Sequence, residues 1–127
     1  MSKELKKLIY VEDEPDLRII AQLALESVGG FEVMIFEFGG DAVREAPAFG
    51  PDMILLDVMM PGMDGPATMA ALRAVPELAD VPIAFLTAKV MPSEVEHLKS
   101  LGAAAVIAKP FDPMTLADQV RAVWEAA

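Results

Sequence analysis

Five short apolar runs separated by stretches of helical periodicity constrain this chain more than any other feature. The runs are 8–11, 31–36, 53–56, 81–86 and 104–108, rich in β-branched and aliphatic residues. They are mostly continuous rather than alternating, which is the pattern of strands buried on both faces of a parallel sheet. The clearest helical segment between them carries Leu17, Ile20, Ala21, Ala24, Leu25 and Val28, opened by Pro15 and closed by Gly29-Gly30. A weaker one spans 40–46 and ends near Pro47, and Asp64-Gly65-Pro66 opens another that carries Met69 and Leu72. Ser93 and Glu96 read as a capping box for a helix that reaches Leu101 and is stopped by Gly102. Asp112-Pro113 reads as an N-cap and first-turn proline, followed by the stripe Leu116, Val120, Val123. Five alternations of strand and helix predict an α/β fold, a doubly wound five-stranded parallel sheet with right-handed crossovers and five helices.

Size and charge narrow the function classes. A chain of 127 residues supplies one core and buries roughly two-thirds of its unfolded surface, so it needs no disulfide or structural metal. With no cysteine there is no disulfide scaffold, thiol nucleophile or thiolate metal site. Ten basic against twenty acidic residues give a net charge of −10, which repels nucleic-acid phosphates and anionic lipids. The one basic cluster, Lys3, Lys6 and Lys7, reads as a solvated lead-in to the first strand. No signal peptide is recognisable, and no run approaches the roughly eighteen apolar residues of a membrane span. The expectation is an acidic protein of the cytoplasm, without direct nucleic-acid or membrane binding. The last helix runs almost to Ala127, so residues 1–127 are expected to form one domain that acts alone or through a partner.

In open parallel sheets the functional groups collect at the carboxyl ends of the strands. Here the first run is followed by Glu12, Asp13 and Glu14, the third by Asp57, the fourth by Thr87 and the fifth by Lys109-Pro110. Crowded carboxylates repel unless a cation sits among them, so Glu12, Asp13 and Asp57 read as a divalent-metal site. All-oxygen ligation suits Mg²⁺, or Mn²⁺ in its place. A carboxylate beside such an ion, with an ammonium and a hydroxyl opposite, is equipped to attack phosphorus. Asp57 is the candidate nucleophile, Lys109 the phosphoryl-oxygen ligand and Thr87 a hydrogen-bond donor. Each residue also has a duller reading: helix caps for Glu12 to Glu14, turn formers for Asp57 and Thr87, a solvated side chain for Lys109. Four coincidences at four successive strand ends make the joint functional reading the better one.

Together these segments resemble the receiver domain of two-component response regulators of the CheY-like, single-domain kind. The likeness rests on LIYVEDEP at 8–15, PDMILLDVMMPGMDG at 51–65, PIAFLTA at 82–88 and KPF at 109–111. The resemblance implies strand order 2-1-3-4-5 and phosphoryl transfer to Asp57 from a phosphohistidine of a sensor histidine kinase or histidine phosphotransfer protein. It further implies Mg²⁺ held by Glu12, Asp13, Asp57 and the backbone carbonyl of Met59. Thr87 and Lys109 would engage the phosphoryl group, and the Lys109-Pro110 bond would be cis. A downstream protein effector, or a second copy, is expected on the face formed by the helix over 93–101, the last strand and the last helix.

The chain departs from the family pattern at three places. Glu12 stands where Asp is commoner. Val106 replaces an aromatic that swings inward in many members, so switching is expected through backbone shifts after Thr87 and in the helix over 93–101. Met59 and Lys89 flank the path of the hydrolytic water. Met59 cannot orient water, and Lys89 has Glu14 or the phosphoryl group as possible partners, so slow self-dephosphorylation is expected. His97 is expected on a solvated helix face. Two other classes need residues that this chain lacks. A dehalogenase-like phosphoaspartate phosphatase needs a second acid two residues past the nucleophile, where Met59 stands. A flavin-binding module needs a phosphate-cradling loop where Glu12-Asp13-Glu14 stands. A receiver fragment of a larger regulator is the remaining alternative.

Overall fold

The computed structural model describes residues 4–127, so Lys3 of the basic cluster and the Met1-Ser2 lead-in lie outside the described residues. Five parallel strands form one sheet in the order β2-β1-β3-β4-β5: β1 Lys7–Val11, β2 Glu32–Phe36, β3 Met53–Asp57, β4 Ile83–Thr87 and β5 Ala105–Ala108. The helices are α1 Pro15–Gln22, α2 Gly39–Phe49, α3 Gly65–Arg73, α4 Pro92–Ser100 and α5 Leu116–Ala126. The expected α/β architecture and strand order are both present.

Continuous burial holds for the three central strands and fails at the edges. Leu8 to Val11, Met53 to Leu56 and Ile83 to Leu86 are fully buried, because each has neighbours on both sides and helices on both faces. In β2 and β5 most side chains are exposed or half-buried. Strand alternation divides the core into two layers. Leu8, Tyr10, Leu55 and Leu86 pack against Ala21, Leu25, Leu116 and Val120. Ile9, Val11, Ile54 and Phe85 pack against Ala42, Met69, Leu72 and Leu98.

Four helix boundaries correct the sequence reading. The first helix runs as α1 to Gln22 and then widens into a π-helical segment, Leu23–Val28, which breaks the 3.6-residue phase. Ala21, Ala24 and Leu25 are buried; Val28, past the break in phase, faces outward, and so does Ile20 within α1. The second helix does not stop near Pro47; it contains that proline and ends at Gly50, whose positive φ of 69° suits a left-handed cap. The Ser93–Glu96 capping box does not form, since α4 starts two residues earlier, at Pro92, with Met91 as its uncapped N-cap residue. Asp112 caps a turn rather than the helix itself. Its Oδ1 accepts from the Met114 N–H at 2.9 Å, and α5 begins at Leu116. The cap at Asp64 is as expected, with Oδ1 accepting from the Ala67 N–H at 2.8 Å. Among the described residues, no helix is long and apolar enough to cross a membrane.

Candidate functional site

Strand register assembles the site. Val11 pairs with Leu56, so Glu12, the next residue, stands beside Asp57. Asp57 pairs with Leu86, and Thr87 with Ala108, which brings Thr87 and Lys109 to the same edge. The Lys109 N–H donates to the Thr87 carbonyl at 2.9 Å, extending the β4–β5 ladder to the last of these residues. The Lys109-Pro110 peptide bond is cis. The result is a cleft of about 430 Å³ lined by Glu12, Asp13, Asp57, Met59, Thr87 and Lys109, the six residues singled out from the sequence. A larger hollow of about 1040 Å³ opens beside the start of β2, among Glu4, Phe31, Arg121 and Trp124. It gathers no comparable set of reactive groups.

Lys109 organises the acidic groups. Its Nζ donates to Glu12 Oε1 at 3.0 Å and to Asp57 Oδ1 at 3.1 Å, with only 16 % of its side chain exposed. It is therefore not the solvated lysine of the duller reading. Glu12 and Asp57 are both buried. Burial, followed by the neighbouring charge of Glu12, pushes the Asp57 carboxyl up to about 6. Burial also works against ionisation of Glu12, but hydrogen bonds from Lys109 and Asp57 outweigh it and hold Glu12 below the usual range. Burial opposes the Lys109 ammonium too, yet the two carboxylates raise its affinity for the proton. The resting site is thus an ionised Glu12, an ammonium, and an Asp57 that takes a proton under mild acid.

Ligand atoms of Glu12, Asp13 and Asp57 lie within 4.8 Å of one another. Three carboxylates with no nitrogen or sulfur donor fit a hard divalent cation such as Mg²⁺ or Mn²⁺. Burial raises Asp57 first and the Glu12 charge adds to it; such an ion would neutralise that charge.

The remaining residues divide between expectation and surprise. Thr87 is buried, and its Oγ1 accepts from the Lys89 N–H at 3.1 Å while it lines the cleft. Met59 is 66 % exposed at the mouth. Lys89 is exposed and forms no ion pair with Glu14, so that expected partner is not used. Glu14 occupies the N-cap position of α1, where the capping reading put it, though its side chain makes no capping bond. His97 is exposed, as expected. Two contributors escaped the sequence reading. Arg18 Nη1 donates to the Glu12 carbonyl at 2.9 Å. The hydroxyl of Tyr10 donates to Glu12 Oε1 at 3.1 Å; the usable signal was the two-residue spacing, which puts both side chains on one face of a strand.

Comparison with known proteins agrees with this geometry. A profile of the response regulator receiver domain matches residues 8–121. The structure is similar to that of chemotaxis protein CheY4 of Vibrio cholerae, with a TM-score of 0.87 and 30 % identity over 94 % of this chain and 99 % of that one. It is also similar to the signal receiver domain of a signal transduction histidine kinase from Syntrophus aciditrophicus, with a TM-score of 0.81 and 31 % identity over 96 % of this chain and 92 % of that one. In sequence it is 35 % identical over 123 residues to the phosphate regulon transcriptional regulatory protein PhoB of Rhizobium meliloti, covering 97 % of this chain and 54 % of PhoB. It is 34 % identical over 117 residues to the DNA-binding response regulator MtrA of Mycolicibacterium smegmatis, covering 92 % of this chain and 50 % of MtrA. The chain spans about half the length of these curated relatives.

Proposed function

Because the chain belongs to the response regulator receiver domain family, we propose that Asp57 is its phosphoacceptor and that residues 1–127 act as one phosphorylation-dependent signalling domain. Receiver domains are signalling domains rather than turnover enzymes, and the dehalogenase-like alternative is set aside with that membership. The observation that carries the assignment is a buried Asp57 carboxylate bonded to Lys109 at 3.1 Å beside two further acids.

In this reading an Asp57 oxygen attacks the phosphorus of a phosphohistidine on a sensor histidine kinase or histidine phosphotransfer protein. The O–P bond forms as the P–N bond breaks, and the departing imidazole nitrogen keeps the electron pair and takes up a proton. Lys109 moves its donors from Asp57 to a phosphoryl oxygen, and the Thr87 hydroxyl donates to another. When held by Glu12, Asp13, Asp57 and the backbone carbonyl of Met59, Mg²⁺ or Mn²⁺ supplies neutralisation of the charge on the transferring group. The phosphorylated state then binds a downstream protein effector, or a second copy, through the face of α4, β5 and α5. The net charge of −10 disfavours direct contact with nucleic acid or an anionic membrane surface.

The test is stoichiometric labelling. Incubation with acetyl phosphate and Mg²⁺ is expected to add one phosphoryl group per chain, and Asp57→Asn to abolish it. Turnover of a chromogenic phosphomonoester without stable labelling would reject the assignment. Phosphotransfer profiling against the histidine kinases of the source organism identifies the donor.

A further inference from the structure

Tyr10 is the only tyrosine in the chain. It sits in the middle of β1, fully buried, with its ring in the layer that holds Leu55, Leu86 and Ile107. A phenylalanine would fill the same space, so packing alone does not call for the hydroxyl. That hydroxyl donates to Oε1 of Glu12 at 3.1 Å, and the same oxygen takes the Lys109 ammonium at 3.0 Å. Glutamate has one more rotatable bond than aspartate and so more freedom to lose when it is fixed in a site. Lys109 is an impermanent anchor, since it also holds Asp57 Oδ1 and is the group that turns toward a phosphoryl oxygen. The Tyr10 hydroxyl has no such second duty.

We propose that Tyr10 is a positioning residue that adapts this site to a glutamate: its hydroxyl keeps the Glu12 carboxylate in place for the divalent cation while Lys109 is released to the phosphoryl group. The inference rests on the phosphoacceptor reading of the site. An aspartate at position 12, one methylene shorter, would fall short of the hydroxyl and have no use for it. The pairing of Tyr10 with Glu12 is therefore a matched exchange.

The experiment titrates the whole chain with Mg²⁺ alone, by calorimetry, in wild type, Tyr10→Phe, Glu12→Asp and the double variant. Loss of a hydrogen bond to a charged group should weaken binding roughly tenfold in Tyr10→Phe. In the Glu12→Asp background the same change should cost less than about twofold, since the partner is already out of reach. Equal losses in both backgrounds, or no loss in either, would overturn the proposal, because a packing role is indifferent to residue 12. Failure of the wild type to bind Mg²⁺ would overturn the phosphoacceptor reading along with it. Should Tyr10→Phe not fold, the wild type decides alone. Tyrosine labelled at Cζ with ¹³C gives a single resonance, which should shift on Mg²⁺ saturation and broaden with substoichiometric Mn²⁺. A resonance unmoved by a bound ion counts against Tyr10.

Discussion

Lys109 and Asp57, 52 positions apart in the chain, meet at 3.1 Å, and the same ammonium reaches Glu12 at 3.0 Å. One cation thus serves two buried anions. Removing it by Lys109→Met should destabilise the metal-free protein by about 1–3 kcal/mol near neutral pH, since two buried charges lose their counter-ion. The loss should shrink toward pH 5, where Asp57 takes a proton and relieves the repulsion. Urea melts at both pH values with chelator present measure it; an equal loss at both would contradict this electrostatic account.

Asp57 binds its proton more tightly in the folded chain, at about 6, than its ordinary value of 3.8. A raised carboxyl stabilises the fold when protonated. Its contribution is therefore present below the unfolded value and is lost as pH rises through about 6. Glu12, held low, has the opposite sign: its contribution is present above its unfolded value and lost as pH falls. Asp57→Asn cannot ionise, so without Mg²⁺ it should be more stable than wild type above pH 6, by up to about 3 kcal/mol. The gain should vanish below about pH 4. A gain that is constant across this range would mean that the amide acts through packing.

Mg²⁺ and the Asp57 proton compete for the same carboxylate. Below about pH 6 the affinity for Mg²⁺ should fall close to tenfold per pH unit, and above it should level off. Calorimetry in two buffers of different ionisation enthalpy counts the proton released. Chelation of the ion should stop labelling by acetyl phosphate. An affinity flat down to pH 5 would place the ion away from Asp57.

Met59, 66 % exposed at the mouth of the cleft, offers no polar group to steer a water toward phosphorus. Met59→Asn should shorten the life of the phosphorylated state, by several-fold to about tenfold, because an amide can orient the attacking water. The decay of the labelled protein measures this, and a wild-type half-life no longer than that of the variant would defeat the idea.

Val106 lies half-buried against the layer that contains Phe85 and Leu98. With no ring to swing, phosphorylation is expected to act through backbone shifts after Thr87 and along α4. Amide resonances of residues 88–101 should move on adding beryllofluoride and Mg²⁺. If they stay in place, the signal leaves the domain by another face.

What the sequence determined by itself is the order of the parts. Continuous apolar runs marked β1, β3 and β4, because a strand covered on both faces has no polar position to spare. The residues ending those runs, Asp57 and Thr87, and the acids following β1 were legible for the same reason: chemistry at a sheet edge begins where the apolar pattern stops. Helix limits were less legible. Pro47 lies inside α2, and the π-helical segment at Leu23–Val28 shifts the phase that should have buried Val28. In both places packing overrode local propensity.

Only the tertiary structure decided which side chains touch. Register brings Glu12 beside Asp57 and Lys109 between them, and a register slip of one residue would send each to the opposite face. Tyr10 looked like an ordinary core aromatic from sequence. Its place as the second anchor of Glu12 depends on the 3.1 Å between a hydroxyl and a carboxylate oxygen, which only the folded strand sets. Local pattern encodes burial because apolar surface is expelled from water residue by residue; the balance of charge within a buried cluster belongs to the assembled fold.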